Sequence, residues 1–230
     1  MVPRFVSRPL ALAWALLLAG PLSSFLGLIP GIAGFAMFAL GGLLSGIMGV
    51  VGAVLVRRAA GPWGRVLAVG IAGFGLVVAP AIPSAGAPPI NDISTDLESP
   101  PVLESGRALE GVGLPMDYDP SFAAITRQAY PDLGPTVLDA DPLEAAQAAR
   151  RCLTELGALQ VLPSAGPGPV QATFSTRVFG FRDDVVVRIQ PSDAGSRIDV
   201  RSKSRDGKGD MGANAKRIRA IQACLARPAP

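Results

Sequence analysis

Residues 171–204 read "QATFSTRVFGFRDDVVVRIQPSDAGSRIDVRSKS". Apolar and polar side chains alternate through three pieces of this stretch, and the turn-prone "PSDAGS" parts the last two. A period of two marks a strand with one buried face. It predicts strands at 170–179, 184–190 and 196–204, with a shorter strand-like piece before them at 159–162. Alternation assigns Ala172, Phe174, Thr176, Val178, Val185, Val187, Ile189, Ile198 and Val200 to the buried side. Thr173, Ser175, Arg177, Val186, Arg188, Gln190, Arg197, Asp199, Arg201 and Lys203 go to the other.

Two helical patterns flank the strands. In "DPLEAAQAARRCLTELGA" (141–158) Asp141 is placed to cap, Pro142 suits the first helical position and Glu144 completes a capping-box spacing. Leu143, Ala146, Ala149, Leu153 and Leu156 form its apolar stripe, and Gly157 its stop. The second helix is expected at about 211–226. Asp210 is its cap, and Met211, Ala215, Ile218, Ile221 and Leu225 are its stripe. The expected fold over 122–230 is therefore α+β: a two-layer domain of helix, four-strand antiparallel meander and helix. Both helices cover one face of the sheet and leave the other available.

Upstream, 83–121 is an acidic, Pro- and Gly-rich linker and N-terminal arm, expected to be extended or irregular. Residues 1–82 form a membrane region with apolar runs at 9–29, 31–56 and 64–82, each near the roughly 20 residues that span a bilayer. Pro21 and Pro30 make the first run the least regular. Arg4 and Arg8 ahead of it also fit a signal peptide, although a retained helix is the preferred reading. In the second run Gly42 and Gly46 form a small-xxx-small pair, which serves packing among the three helices or a helix-mediated homo-oligomer. Apart from Arg65 at the very start of the third run, no ionisable residue lies inside a run, so a transport pathway has no support.

Charge is unevenly divided. All 18 acidic residues follow Pro83, whereas Arg4, Arg8, Arg57, Arg58 and Arg65 precede it. The positive-inside tendency keeps the N-terminus and the loop around 57–65 in the cytoplasm. The third helix then exits outward. The expected location is the inner membrane, multi-pass, with an extracytoplasmic C-terminal domain. Residues 83–155 are net acidic and 177–230 net basic, so the acidic half can lie along the basic one. The pI of 9.2 owes much to the membrane segment and is weak evidence for nucleic acid.

The chain has no histidine and two cysteines, so neither a metal site nor a cofactor is expected. Antiparallel helices along an up–down meander would hold Cys152 and Cys224 about 10 Å apart along the axis, which favours free thiols. An oxidising compartment argues for a bridge. For the basic strand row there are two readings. One is a solvated face whose arginines pair with nearby acids or the acidic linker. The other is an anion site formed by Arg177, Arg188, Asp199, Arg201, Lys203 and Arg205, with the turn "RDGKGDMG", Asp210 and Asn214 beside it. "GKGDMGAN" is a poor match to a phosphate loop.

At 172–221 the chain resembles the bacterial and plastid family catalogued as domain of unknown function 1499. The resemblance rests on "FGFRDDVVVR" (179–188) and "DVRSKSRDGKGDMGANAKRIRAI" (199–221). Ile221 stands where the family usually has an aromatic. "PPINDISTD" (88–96) and "AYPDLGP" (129–135) are similar to upstream family blocks, which implies that the first of them belongs to the domain. The resemblance implies no activity.

These observations favour a membrane-anchored binding or scaffold module over an enzyme. Its expected partners are inner-membrane lipids, an anionic small molecule or envelope component, and a second copy of the chain. The alternative is an envelope enzyme using Asp183, Asp184 or Asp199 as acid or base beside Ser202 or Ser204. Nucleic acid is not an expected partner, because the basic row lacks interleaved aromatics. A cytoplasmic C-terminus would reopen that reading.

Overall fold

The computed structural model describes residues 2–103, 117–162 and 166–227. It divides into two units. One takes the chain up to Ala85 together with Thr176–Gly180, and the other takes the remainder.

The first unit is built on three helices: α1 (Arg4–Phe25), α2 (Gly31–Arg58) and α3 (Trp63–Val78), the last prolonged by a 3-10 segment, Ala79–Ser84. All three are long and apolar enough to cross a membrane. The first begins and ends several residues earlier than expected and carries Pro9 and Pro21 within it. Its end is set by Gly27, whose φ of 69° lets Leu28 N–H reach the Ser23 carbonyl at 2.9 Å. Such a left-handed residue closes a helix, and glycine adopts it without a Cβ penalty.

Glycine lets these helices approach closely. A Cβ on Gly49 would lie 2.5 Å from the Gly70 Cα, and one on Gly46 would lie 3.2 Å from the Phe74 side chain. Gly42 faces Val77, and Gly41 faces the backbone of Leu17. The Gly42/Gly46 pair is thus used against α3, in accord with packing among the three helices.

The second unit is α+β. After β1 (Asp92–Ser94) come α4 (Ser121–Ala129), β2 (Thr136–Leu138), α5 (Pro142–Glu155), β3 (Gln160–Val161), β4 (Val170–Ser175), β5 (Arg182–Ser192), β6 (Gly195–Ser204) and α6 (Ala213–Leu225). The antiparallel order is β1-β6-β5-β4-β3, with β2 also on β6. The meander is present, but among the described residues the sheet has six strands instead of four. Ser94 pairs with Arg201 at one end of the outer edge of β6, and Leu138 with Ser196 at the other. The two added strands are three residues each, too short for their alternation to register.

The core lies between the sheet and α5 and α6: Leu153, Val170, Val185, Val187, Ile198, Val200, Ile218 and Ile221 are almost wholly buried. The capping box of Asp141 and Glu144 forms as expected. Leu143, Leu156 and Met211, placed in the apolar stripes, are instead exposed; Leu156 follows α5 and Met211 precedes α6. The N-cap position of α6 is Gly212, not Asp210, and it makes no side-chain cap bond; Asp210, two residues outside, accepts from Gly212 N–H at 2.8 Å and Asn214 N–H at 2.6 Å.

Three further expectations change. The strand expected to run to 179 ends at Ser175, so Thr176, Arg177 and Val178 leave the sheet before the chain turns at Gly180, φ 66°. The sheet face opposite the helices is not open: Thr173, Asp184, Val186, Asp199 and Arg201 on it are buried. Cys152 and Cys224 form a disulfide with their Cα atoms 5.8 Å apart. The 10 Å separation assumed helices lying side by side along the strands. The connection 205–212 frees α6 from that alternation, and the two helices meet near their C-terminal ends.

Candidate functional site

The basic strand row becomes a lattice of ion pairs because β1 and the residues after it bring carboxylates to it. Pairing of Asp92 with Lys203 puts the Asp92 carboxylate on the same face as Lys203 and, two residues along β6, Arg201. Both oxygens of Asp92 accept from Arg201, at 2.9 and 2.8 Å, and Lys203 Nζ donates to Asp92 Oδ2 at 3.0 Å. Arg201 also donates to the Pro101 carbonyl at 3.1 Å and stacks over the Tyr118 ring at 5.4 Å.

Further along the face Arg188 and Asp199 are direct cross-strand partners. Arg188 donates to Asp199 Oδ2 at 2.9 Å and to Asp96 Oδ2 at 2.7 Å, while a third bond reaches the Ser99 carbonyl. Arg197 binds the same two carboxylates, with its Nε 3.1 Å from Asp199 Oδ2. Burial alone would raise Asp96; the Ser99 N–H and the Arg188 guanidinium outweigh it and hold the carboxyl below its ordinary value of 3.8. Asp184 completes the row, bound by Arg205 at 2.7 Å and by the Thr173 hydroxyl at 2.9 Å. The nearest-neighbour geometry is that of charge-assisted, largely bidentate bonds.

The other expected site residues lie on the helix side. Asn214 Oδ1 accepts from Ser202 Oγ at 2.6 Å, and its Nδ2 donates to Ser204 Oγ at 3.0 Å and to the Asn91 carbonyl at 3.1 Å. Arg217 donates to Asp183 at 2.6 Å and lies 4.8 Å over the Phe174 ring. Asn91 in turn donates to the Gly207 carbonyl at 2.8 Å, tying down the turn before α6. Burial, outweighing two backbone N–H bonds, pushes the Asp210 carboxyl above its ordinary value.

The expected site residues therefore divide into groups. Arg188, Asp199, Arg201, Lys203 and Arg205 share the covered sheet face, whereas Asp210 and Asn214 sit at the start of α6. Arg177 lies in the exposed turn at 176–180. Asp183, Asp184 and Asp199, the carboxylates of the enzyme reading, are each held by arginine. A cavity of about 770 Å³ in this domain has Asp139, Glu144, Arg151, Glu155, Arg227 and the disulfide in its wall, away from those three. Among the described residues no cluster of acids and cysteines could hold a metal ion.

Asp92, Asp96 and Asn91 were not singled out from the sequence as individual partners. Their signal was the opposite charge of the two halves, together with the block "PPINDISTD".

Fold and lattice define a class: an α+β domain closed over a buried ion-pair network, following three membrane-competent helices. A family model described as "Protein of unknown function (DUF1499)" matches residues 92–225, and the chain belongs to that family. The match begins at Asp92, the first carboxylate of the lattice. Comparison with curated proteins and with solved structures finds no match.

Proposed function

We propose that the chain is a membrane-anchored binding or scaffold module whose α+β domain works on the extracytoplasmic side of the inner membrane. The observation that carries the reading is the Cys152–Cys224 disulfide. Disulfides persist in oxidising compartments and are rare in the cytoplasm. The arginines at 4, 8, 57, 58 and 65 independently favour the same side through the positive-inside tendency. The arginines of the sheet face are already held by carboxylates of the chain, so this reading gives them a structural task. It leaves partner contacts to the exterior of the domain.

A reporter that is active only after export, fused after Pro230, tests the placement. Activity is expected, together with a shift in non-reducing mobility when the native protein is reduced. A silent export reporter with an active cytoplasmic one, or thiols that alkylate without reductant in freshly lysed cells, would overturn it.

A further inference from the structure

Arg177 and Phe179 take no part in the ion lattice. Both lie in Thr176–Gly180, the five residues that group with the membrane helices. The segment turns sharply, with Gly180 N–H donating to the Thr176 carbonyl at 3.0 Å. The Phe179 ring stands edge-on to Phe35 at 5.4 Å and tilted against Phe38 at 6.0 Å.

Position along α2 converts those contacts into a depth. A hydrocarbon layer of about 30 Å takes roughly 20 helical residues. Counted back from Val56, the last residue before Arg57 and Arg58, that span ends near Met37. Phe35 and Phe38 therefore bracket the hydrocarbon boundary at the end of α2 remote from those arginines. Val178, beside Phe179, is 44% exposed. Arg177 is exposed and has no ion pair among the described residues. An aromatic ring at the boundary with an apolar neighbour and a cation next to them is the composition of an interfacial anchor.

We propose that Thr176–Gly180 is a membrane-interface anchor. Val178 and Phe179 lie at the acyl–headgroup boundary, and Arg177 binds the phosphate of an anionic phospholipid. The apolar neighbours of Arg177 favour a lipid over a free anion, since they have no use for a phosphate in water. Anionic surfaces attract such a cation within a Debye length. The inference needs α1–α3 in a bilayer but not a particular compartment. It and the proposed placement therefore fail separately.

The test uses the full chain with Val178→Cys, labelled with an environment-sensitive dye while the native cysteines stay bridged. Non-reducing mobility verifies the bridge. The protein is reconstituted in phosphatidylcholine vesicles with or without phosphatidylglycerol. Quenching is expected from lipids bearing a shallow nitroxide, less from a deep one, and little from aqueous iodide. Iodide quenching without lipid quenching would overturn the insertion. In the second arm, mass spectrometry of protein released from mixed vesicles should show several-fold less retained phosphatidylglycerol, relative to phosphatidylcholine, for Arg177→Ala. An unchanged ratio, or its abolition by inorganic phosphate, would overturn the headgroup assignment.

Discussion

Arg201 is 2% exposed and its partner Asp92 is fully buried. Asp92 serves both Arg201 and Lys203, so removing its charge leaves a buried guanidinium without its carboxylate, and such a loss typically costs about 3–5 kcal/mol. Asp92→Leu is therefore expected to lower the denaturant midpoint of the full chain in detergent sharply. Arg201→Met added to it should restore part of the loss, because the more buried of the two cations is then gone, whereas Arg201→Met alone should cost less, because Lys203 still pairs with Asp92. Asp96 makes a prediction about acid. Its folded pKa is depressed, so its contribution is present above the ordinary value of 3.8 and disappears as pH falls through the folded value. The stability difference between the native chain and Asp96→Asn should accordingly be full at neutral pH and vanish below that range. A difference that grew on acidification would reverse the sign. At this scale the capping box at Asp141 was legible, since a cap is a local event within four residues, whereas the N-cap of α6 falls two residues past Asp210. Asp199 was legible as a partner for the arginines of its face, and it binds Arg188. Asp92 and Asp96 were not legible as individuals, because they stand about a hundred positions upstream of Arg201 and Arg188 and only strand register brings them near.

Among the elements, α5 and α6 are joined by a bridge that closes a separation of 72 residues. By chain entropy such a loop stabilises by about 4 kcal/mol. Cys152→Ser with Cys224→Ser, or reduction of the native protein, should lower unfolding stability by that order, as read from denaturant curves with and without reductant. No effect of reductant would mean that the bridge is absent in solution. In the helical unit Gly49 meets Gly70 with no room for a side chain. Gly49→Leu is expected to separate α2 from α3 at a cost of about 1–3 kcal/mol, visible as a lower melting temperature in detergent. Helix type and approximate extent were legible from periodicity. The crossing that brings Cys152 to Cys224 was not, because a pattern of apolar residues specifies a face and not the angle at which that face packs.

For the whole molecule, the disulfide and the distribution of arginines bear on one question, the compartment of the domain. If the domain is exported, cytoplasmic expression of the chain should yield the reduced form. Its thermal midpoint should then rise on oxidation by an amount matching the loss measured on reduction. An unchanged midpoint would detach the bridge from the proposed placement. By itself the sequence determined the elements that local chemistry governs: three apolar spans, a two-residue alternation in the meander, and helices before and after it, the first with its cap. Tertiary structure alone decided that the basic face is closed, that the linker supplies β1 and the carboxylates Asp92 and Asp96, and that the cysteines meet. The physical reason is one of range. Periodicity and caps act over a few residues, whereas charge pairing, strand register and helix crossing are set by groups that folding brings together from distant positions.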